Sequence, residues 1–361
     1  MRICLNMIVR NEAPVIERCL ASVRPHVDAW AIVDTGSTDG TQALIANAMR
    51  GIPGELVERD WVDFATNRNQ ALELASAYGT FALIVDADEV LHVDAGALRP
   101  GIELSAGMFR FALGELDYWR IALVRLDLDW RWRGVLHEVL SSPTAAAATR
   151  LKGWRVESFP DGARSRVPSQ QKYGADARVL EQALVHDPDN TRYAFYYAQS
   201  LRDAGCEVEA LAAYRRRISM GGWAEELYIS RLQVALLLER AQAPVPDVVF
   251  AYLEAHEARS ARPEAPCELA RYLRLQQRYP LALIFARIAA EAAPGDDVLF
   301  IDTSVAAWRA HDEWSIACWY CGDGELSARL CEGLLAGPAL PVDQRERVRR
   351  NLAFAIELRD R

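Results

Sequence analysis

A chain of 361 residues with 51% hydrophobic side chains, 25% charged side chains and a formal net charge of −9 is long enough for two ordinary domains, each with its own core. The negative balance argues against a duplex nucleic-acid binder, whose phosphate contacts need a basic face, and no run of about 18 apolar residues marks a membrane span. Seven cysteines, an odd number scattered over positions 4, 19, 206, 267, 318, 321 and 331, point to reduced thiols in a cytoplasm and not to a disulfide framework.

The opening, MRICLNMIV, reads as a first strand over 3–9; it lacks the small-residue cleavage site of a signal peptide. A helix over about 14–22 follows, then a strand over 29–33, a helix over 41–49, a strand over 54–58, a helix over 64–78 and a strand starting at Phe81. This β-α-β-α order implies a three-layer α/β sandwich on a mostly parallel sheet with right-handed crossovers. Between 107 and 139 the apolar residues alternate, as in Arg120-Ile121-Ala122-Leu123-Val124-Arg125, which implies antiparallel additions. Near residue 165 the period changes, and from Tyr173 onward the pattern is helical. The expected organisation is an α/β domain over 1–165 and an all-α domain over 166–361.

The helical half carries a degenerate repeat. Ala198, Gly205, Ala210 and Tyr214 follow the spacing of a tetratricopeptide helix-turn-helix, after the helix stop Asp187-Pro188-Asp189-Asn190. A second register falls at Ala270, Ala282, Ala289 and Pro294, and a looser one runs from Ala317 to Leu330. Stacked units of this kind are either a scaffold extending the first domain or a concave surface for a peptide or protein; they also offer a surface for homo-oligomerisation. Cys318 and Cys321 form a lone C-x-x-C in an aromatic helical stretch, read as two buried helix residues and not as a zinc or redox pair.

The chemistry centres on FALIVDADE, residues 81–89. Five apolar residues without alternation read as a strand buried on both faces. Asp86, Asp88 and Glu89 fall just past its end, where ligands sit in open α/β sheets. Strand-like alternation would point Asp86 and Asp88 to one side, and two hard oxygen donors suit Mn²⁺ or Mg²⁺ sharing its other positions with water and phosphate. IVDTGSTDGT, residues 32–41, is neither a dinucleotide fingerprint nor a Walker loop. It offers Asp34 at a strand end, able to accept from a base N–H, and Asp39 as a turn or cap residue. Asn11, Glu12 and Asp60 would border the same crevice.

Taken together, MIVRNEAPVIERCLASV, IVDTGSTDGT, RNQAL and VDADE resemble the glycosyltransferase family 2 pattern, with its GT-A fold and nucleotide-sugar donor. WRGVLHEVL followed by DPDNTRYAFYYAQSLRDAG is similar to a subgroup with helical-repeat extensions, that of the lipopolysaccharide-core glucosyltransferases and the sublancin S-glycosyltransferase. The resemblance implies that Asp34 and Asp60 contact the nucleobase, that Arg68 and Asn69 sit near the diphosphate or sugar, and that Asp86 and Asp88 serve the ribose and the metal. It also implies that His137, flanked by Val135 and Leu136 on an expected strand, completes the metal coordination, and that the donor is a UDP-sugar. The Glu-Asp pair that supplies the base in many family members is not evident between 100 and 135. Glu138, beside His137, is the first choice for the base, with Asp117 and Asp127 behind it.

At the domain junction lie Lys172, Tyr173 and Asp176, then Tyr196, Gln199, Arg202 and Asp203. An exposed i,i+4 pair between Lys172 and Asp176 is the simple explanation; contact with the acceptor is the functional one. Trp119, Trp130 and Trp132 are either packing in the added sheet or platforms for a sugar. The resulting reading is an inverting, metal-dependent glycosyltransferase that moves a hexose or N-acetylhexosamine to a peptide, protein or glycan. The competing class is a non-catalytic nucleotide-sugar-binding or helical-repeat interaction module. A nucleotidyltransferase would want a Gly-rich basic loop after the first strand, which Asn11-Glu12-Ala13-Pro14 does not supply.

Overall fold

The computed structural model describes residues 1–293 and 295–361; Pro294, counted above in the second repeat register, lies outside them. The chain packs as two compact units, Met1–Cys206 and Glu207–Arg361.

The first unit begins with β1 (Ile3–Val9), α1 (Ile16–Val23), β2 (Ala29–Asp34), α2 (Thr41–Ala48), β3 (Gly54–Glu58), α3 (Phe64–Ser76) and β4 (Phe81–Ile84). It continues with β5 (Glu89–Val93), β6 (Ala106–Leu113), β7 (Leu116–Arg125), β8 (Arg131–Arg133), β9 (Val139–Ser141), β10 (Thr149–Ser158), α4 (Ser169–His186) and α5 (Thr191–Asp203). The main sheet runs β3-β2-β1-β4-β7-β6-β10-β5. Pairing is parallel from β3 to β4, antiparallel at β4–β7, β7–β6 and β10–β5, and parallel again at β6–β10. The sheet is therefore mixed, with a parallel half that matches the βαβ pattern and a second half built from the alternating stretches.

Side-chain alternation explains how the two faces are covered. Ile3, Leu5, Met7 and Val9 of β1, with Trp30, Ile32, Phe81 and Leu83, pack against Ile16, Cys19, Leu20 and Val23 of α1. The opposite face presents Cys4, Ala29, Ala31 and Ala82 to Leu72 and Ala75 of α3. Large residues thus carry α1 and α2, while small ones let α3 lie close to the strands. The start of α3 is fixed by Asp63, whose side chain accepts from Thr66 N at 2.7 Å.

Four expectations are corrected. Beyond Ile84 the backbone is no longer a strand: Glu89 N donates to Asp86 O at 3.1 Å, so Asp86–Glu89 is a turn and the two aspartates do not share a side by strand alternation. His137 is not on a strand; it sits between β8 and β9 with φ +52°. Asp176 is buried and pairs with Arg164 instead of forming an exposed pair with Lys172. Of the C-x-x-C cysteines only Cys318 is buried, whereas Cys321 is exposed at the helix end.

The second unit is helical: α6 (Glu207–Ser219), α7 (Ala224–Arg240), α8 (Val245–Ala258), α9 (Glu264–Leu275), α10 (Tyr279–Ala290), α11 (Ala310–Tyr320), α12 (Gly324–Ala336) and α13 (Val342–Arg359). Ala270, Ala282, Ala289 and Ala317 are buried at their small-residue positions, because α9 with α10 and α11 with α12 approach closely there. Ahead of them, α4 ends before the Asp187–Asn190 stop, and Asn190 caps α5 by accepting from Tyr193 N at 3.0 Å. No helix among the described residues is long and apolar enough to cross a membrane.

Candidate active site

A cleft of about 500 Å³ opens past the C-terminal ends of β1, β2 and β4, lined by Arg10, Asn11, Glu12, Thr35, Trp61, Phe64, Arg68, Asp86, Asp88, Gly162, Ala163 and Arg164 among others. This is the position at which an open α/β sheet holds its ligand.

Its floor is two loops stitched together. Asn11 sits at φ +57°, a region Asn tolerates better than most residues. Its N–H donates to Ser37 Oγ at 2.9 Å, and its Oδ1 accepts from Thr38 N at 2.8 Å. Asp39 accepts from Ala13 N at 3.0 Å and from Thr41 Oγ at 2.6 Å, which makes it a turn-fixing residue. Asp34 is fully buried; its Oδ1 accepts from Gly36 N at 2.8 Å and Ser37 N at 2.7 Å, while Oδ2 is buried without a partner. A buried acceptor without a donor is rare; Asp34 itself is not among the residues lining the cleft, which Thr35 beside it reaches.

The acidic turn is held from three sides. Arg68 Nη2 donates to Asp86 Oδ1 at 2.9 Å, and Arg120 lies 3.5 Å from Asp86 and 3.1 Å from Glu89. Glu89 Oε2 accepts from Asp86 N at 2.8 Å, closing the turn. Burial pushes the Asp86 carboxyl up, but Arg68 and Arg120 outweigh it and hold the group below the ordinary range. Glu89 goes the other way: burial lifts it to about 7 against the pull of Arg120. Asp88 forms no ion pair with an arginine or lysine among the described residues, and burial with the neighbouring Asp86 charge raises it to about 6. Asp86 is thus compensated by protein, whereas Asp88 has no arginine or lysine partner among the described residues.

A second carboxylate lies across the cleft. Glu12 Oε2 accepts from Ala163 N at 3.0 Å, and burial with help from Asp88 raises the group to about 7. Gly162 matters sterically: a Cβ there would stand 2.8 Å from Asp88 Oδ2 and 3.1 Å from its Cβ. Gly162→Ala should therefore shift Asp88 and lower any turnover in this cleft by about 10–100-fold, the scale of an ångström-level misplacement, with little change in melting temperature; steady-state kinetics beside calorimetric unfolding checks this.

Glu138 and His137 part ways. Glu138 has a nearly buried carboxylate 4.0 Å from Arg68 Nε, and burial raises its pKa. His137 stacks on Tyr196 with ring centroids 3.8 Å apart and an interplanar angle of 6°. Crowding by neighbouring groups, then Arg192, Arg164 and Lys172, lower the His137 pKa, although the residue keeps solvent exposure. Its charged neighbours are cations, and among the described residues no three His, Cys, Asp or Glu side chains form a metal-holding group; the expected set of Asp86, Asp88 and His137 is not gathered. Its imidazole should titrate below the ordinary 6.5 when followed by NMR. In the unfolded chain it takes a proton below about 6.5, so its contribution to stability is lost as pH falls below 6.5.

The other expected residues lie apart from the cleft lining. Asp60 is exposed and its carbonyl accepts from Asn67 Nδ2 at 3.0 Å. Asn69 brackets the Trp132 backbone, donating to its O at 3.0 Å and accepting from its N at 2.8 Å, so it positions the β8 hairpin. Asp117 of β7 pairs with Arg110 of β6, and Asp127 with Arg125 at 2.7 Å; neither lines the cleft. Lys172 packs over the Tyr173 ring at 4.8 Å, Tyr196 carries the His137 stack, and Gln199 Oε1 is buried without a partner. Trp130 and Trp132 are buried packing residues, and Trp119 carries Arg150 at 4.9 Å.

Sequence reasoning missed Arg120, Glu89 as a buried partner, and the Gly162–Arg164 wall. Arg120 carried a signal, a charge at a position that alternation turns toward the acidic strand end. The Gly162 segment carried none.

A mixed α/β unit with an acidic turn past a central parallel strand sets its carboxylates where open α/β sheets hold ligands. The family described as glycosyl transferase family 2 matches residues 4–105, a stretch that lies within the first unit and is similar to that family. A TPR repeat-containing protein of Synechococcus elongatus is 33% identical over 190 residues, 50% of this chain and 44% of the relative. The lipopolysaccharide core biosynthesis glycosyltransferase LpsC of Rhizobium meliloti is 34% identical over 117 residues, 32% of this chain and 40% of the relative. The chain thus spans less than half the length of these relatives. Among solved structures, BtubC from P. vanneervenii is 14% identical with a TM-score of 0.42, covering 55% of this chain and 85% of its own. MamA is 12% identical with a TM-score of 0.35, covering 53% and 85%.

Proposed function

We propose that the first unit transfers a hexose or N-acetylhexosamine, with inversion, from a nucleoside diphosphate sugar to a peptide, protein or glycan acceptor, with UDP as the expected nucleotide. The observation that carries this reading is the pairing of an arginine-compensated Asp86 with an uncompensated Asp88 in one cleft.

The donor set suits a divalent cation at Asp88, completed by diphosphate oxygens and water; Mn²⁺ or Mg²⁺ held there would stabilise charge developing on the departing diphosphate. Asp34 ends β2 next to the cleft-lining Thr35 and is the carboxylate of this proposal for the nucleobase. Arg68 and Arg120 orient Asp86 toward the ribose side, and Arg10 and Arg164 bring positive charge to the cleft wall. Glu138 is the base of this proposal: burial raises its proton affinity, which suits taking the proton of an attacking hydroxyl or thiol. That attack forms the new bond at the anomeric carbon as the bond to the diphosphate oxygen breaks.

The test is hydrolysis and transfer with a panel of UDP-, GDP- and CMP-sugars, with and without Mn²⁺, in the native chain and in Asp88→Ala. Manganese-dependent release of one nucleotide, lost in the variant, is the expected result. Absence of both turnover and calorimetric nucleotide binding would overturn it in favour of a non-catalytic module.

A further inference from the structure

The second unit contains a pocket of about 470 Å³ among α9, α11, α12 and α13, and the geometry points to it as a binding site for a neutral oligosaccharide. The inference names the acceptor class of the transfer proposed above and rests on that reading for its role, though not for its binding chemistry.

Two cross-helix forks build the polar side. Arg274 grips Glu313 through bonds of 2.7 and 2.8 Å, and Arg347 grips Asp312 through bonds of 3.1 and 2.9 Å. Arg347 Nε also donates to Gln344 Oε1 at 2.9 Å. Each carboxylate oxygen keeps a lone pair beyond its arginine bond, so the wall presents fixed acceptors at no further ordering cost. The two pairs cancel in charge, which removes the Coulombic gain a phosphate or an acidic peptide would need.

The apolar side is aromatic and open to solvent. Trp319, Tyr320 and Phe354 are 37%, 47% and 54% exposed and all line the pocket. Trp319 is set by its indole N–H, which donates to Phe354 O at 3.2 Å, and Tyr320 lies flat on Tyr279 at 3.9 Å and 1°. Exposed aromatics clustered beside a polar pocket mark a binding surface. A pyranose has a C–H face for such rings and a rim of hydroxyls for the forks, and the volume lies within the range of roughly 300–1,000 Å³ typical of ligand sites.

Titration calorimetry of the full chain with maltotriose, cellotriose, mannotriose and chitotriose tests the site. One of these should bind with Kd at or below about 1 mM. Binding should weaken at least about tenfold in Trp319→Ala and in Phe354→Ser, as for loss of an aromatic anchor, and stay unchanged in Asp88→Asn. Phe354→Ser removes a half-exposed ring and keeps the backbone carbonyl that holds Trp319, so it reports even where Trp319→Ala unfolds. Binding by none of the four, binding that survives both changes, or capture of a neutral peptide library in their place would overturn the inference. Donor turnover without saccharide binding sinks this inference alone, and saccharide binding without donor turnover sinks the catalytic reading alone.

Discussion

Asp88→Asn should slow sugar transfer about a thousandfold while leaving the fold intact, the scale expected when electrostatic stabilisation of a leaving group is lost. Among the described residues the carboxylate makes no ion pair, so its removal breaks no such partnership, and the cost falls on catalysis. The pH dependence has a definite sign. Asp88 must be ionised to hold a cation, and its pKa is raised to about 6, so cation-dependent nucleotide binding should fall as pH drops through 6. Stability runs the other way: a raised folded-state pKa contributes stability that is fully present below the ordinary value of 3.8 and is lost as pH rises toward 6. At neutral pH the cleft is then a destabilised anionic site, which a bound cation relieves. Melting curves with Mn²⁺ should show a larger gain at pH 7.5 than at pH 5.5 in the native chain, and none in Asp88→Asn. An equal gain at both pH values, or one that persists in the variant, would place the cation elsewhere.

Arg120→Met should cost about 3 kcal/mol, toward the low end for breaking a buried ion pair because the guanidinium keeps 28% of its exposure. For a unit of this size that is a fall of about 6–12 °C in melting temperature. The charge left behind decides the pH signature. Glu89, already at about 7 with Arg120 in place, rises further without it and takes up a proton. That neutralisation limits the damage at pH 6 and no longer does so at pH 8, so the loss of stability should be larger at pH 8. Arg120→Lys should recover part of the stability, because a single ammonium supplies the charge but not the fork that spans Asp86 and Glu89. A pH-independent loss would show that packing over Phe111, where the guanidinium lies 4.1 Å from the ring centroid, outweighs the ion pairs.

The sequence by itself determined the parallel half of the sheet, because its strands are continuous apolar runs and its helices keep one period. It also determined that carboxylates follow the central strand and that small residues set the helical packing, since these depend on neighbours close in the chain. It placed Glu12, Arg68, Asp86 and Asp88 near one crevice by the rule that loops past parallel strands converge, while Asp34 stays buried behind it. What it did not determine is which charges meet. Whether Asp86 is free or clamped depends on Arg120, from a strand that joins β4 only through antiparallel pairing, and on Arg68, from the start of α3. Whether His137 faces carboxylates or Tyr196 depends on a turn with φ +52° and on a helix nearly sixty positions away in the chain. Gly162 reads as an ordinary loop glycine until the fold brings its backbone against Asp88. Local pattern fixes elements because hydrogen bonding and side-chain period act along the chain, whereas ion pairs, burial and pKa values are set by groups that only folding brings within a few ångströms, and for those the tertiary structure alone decided.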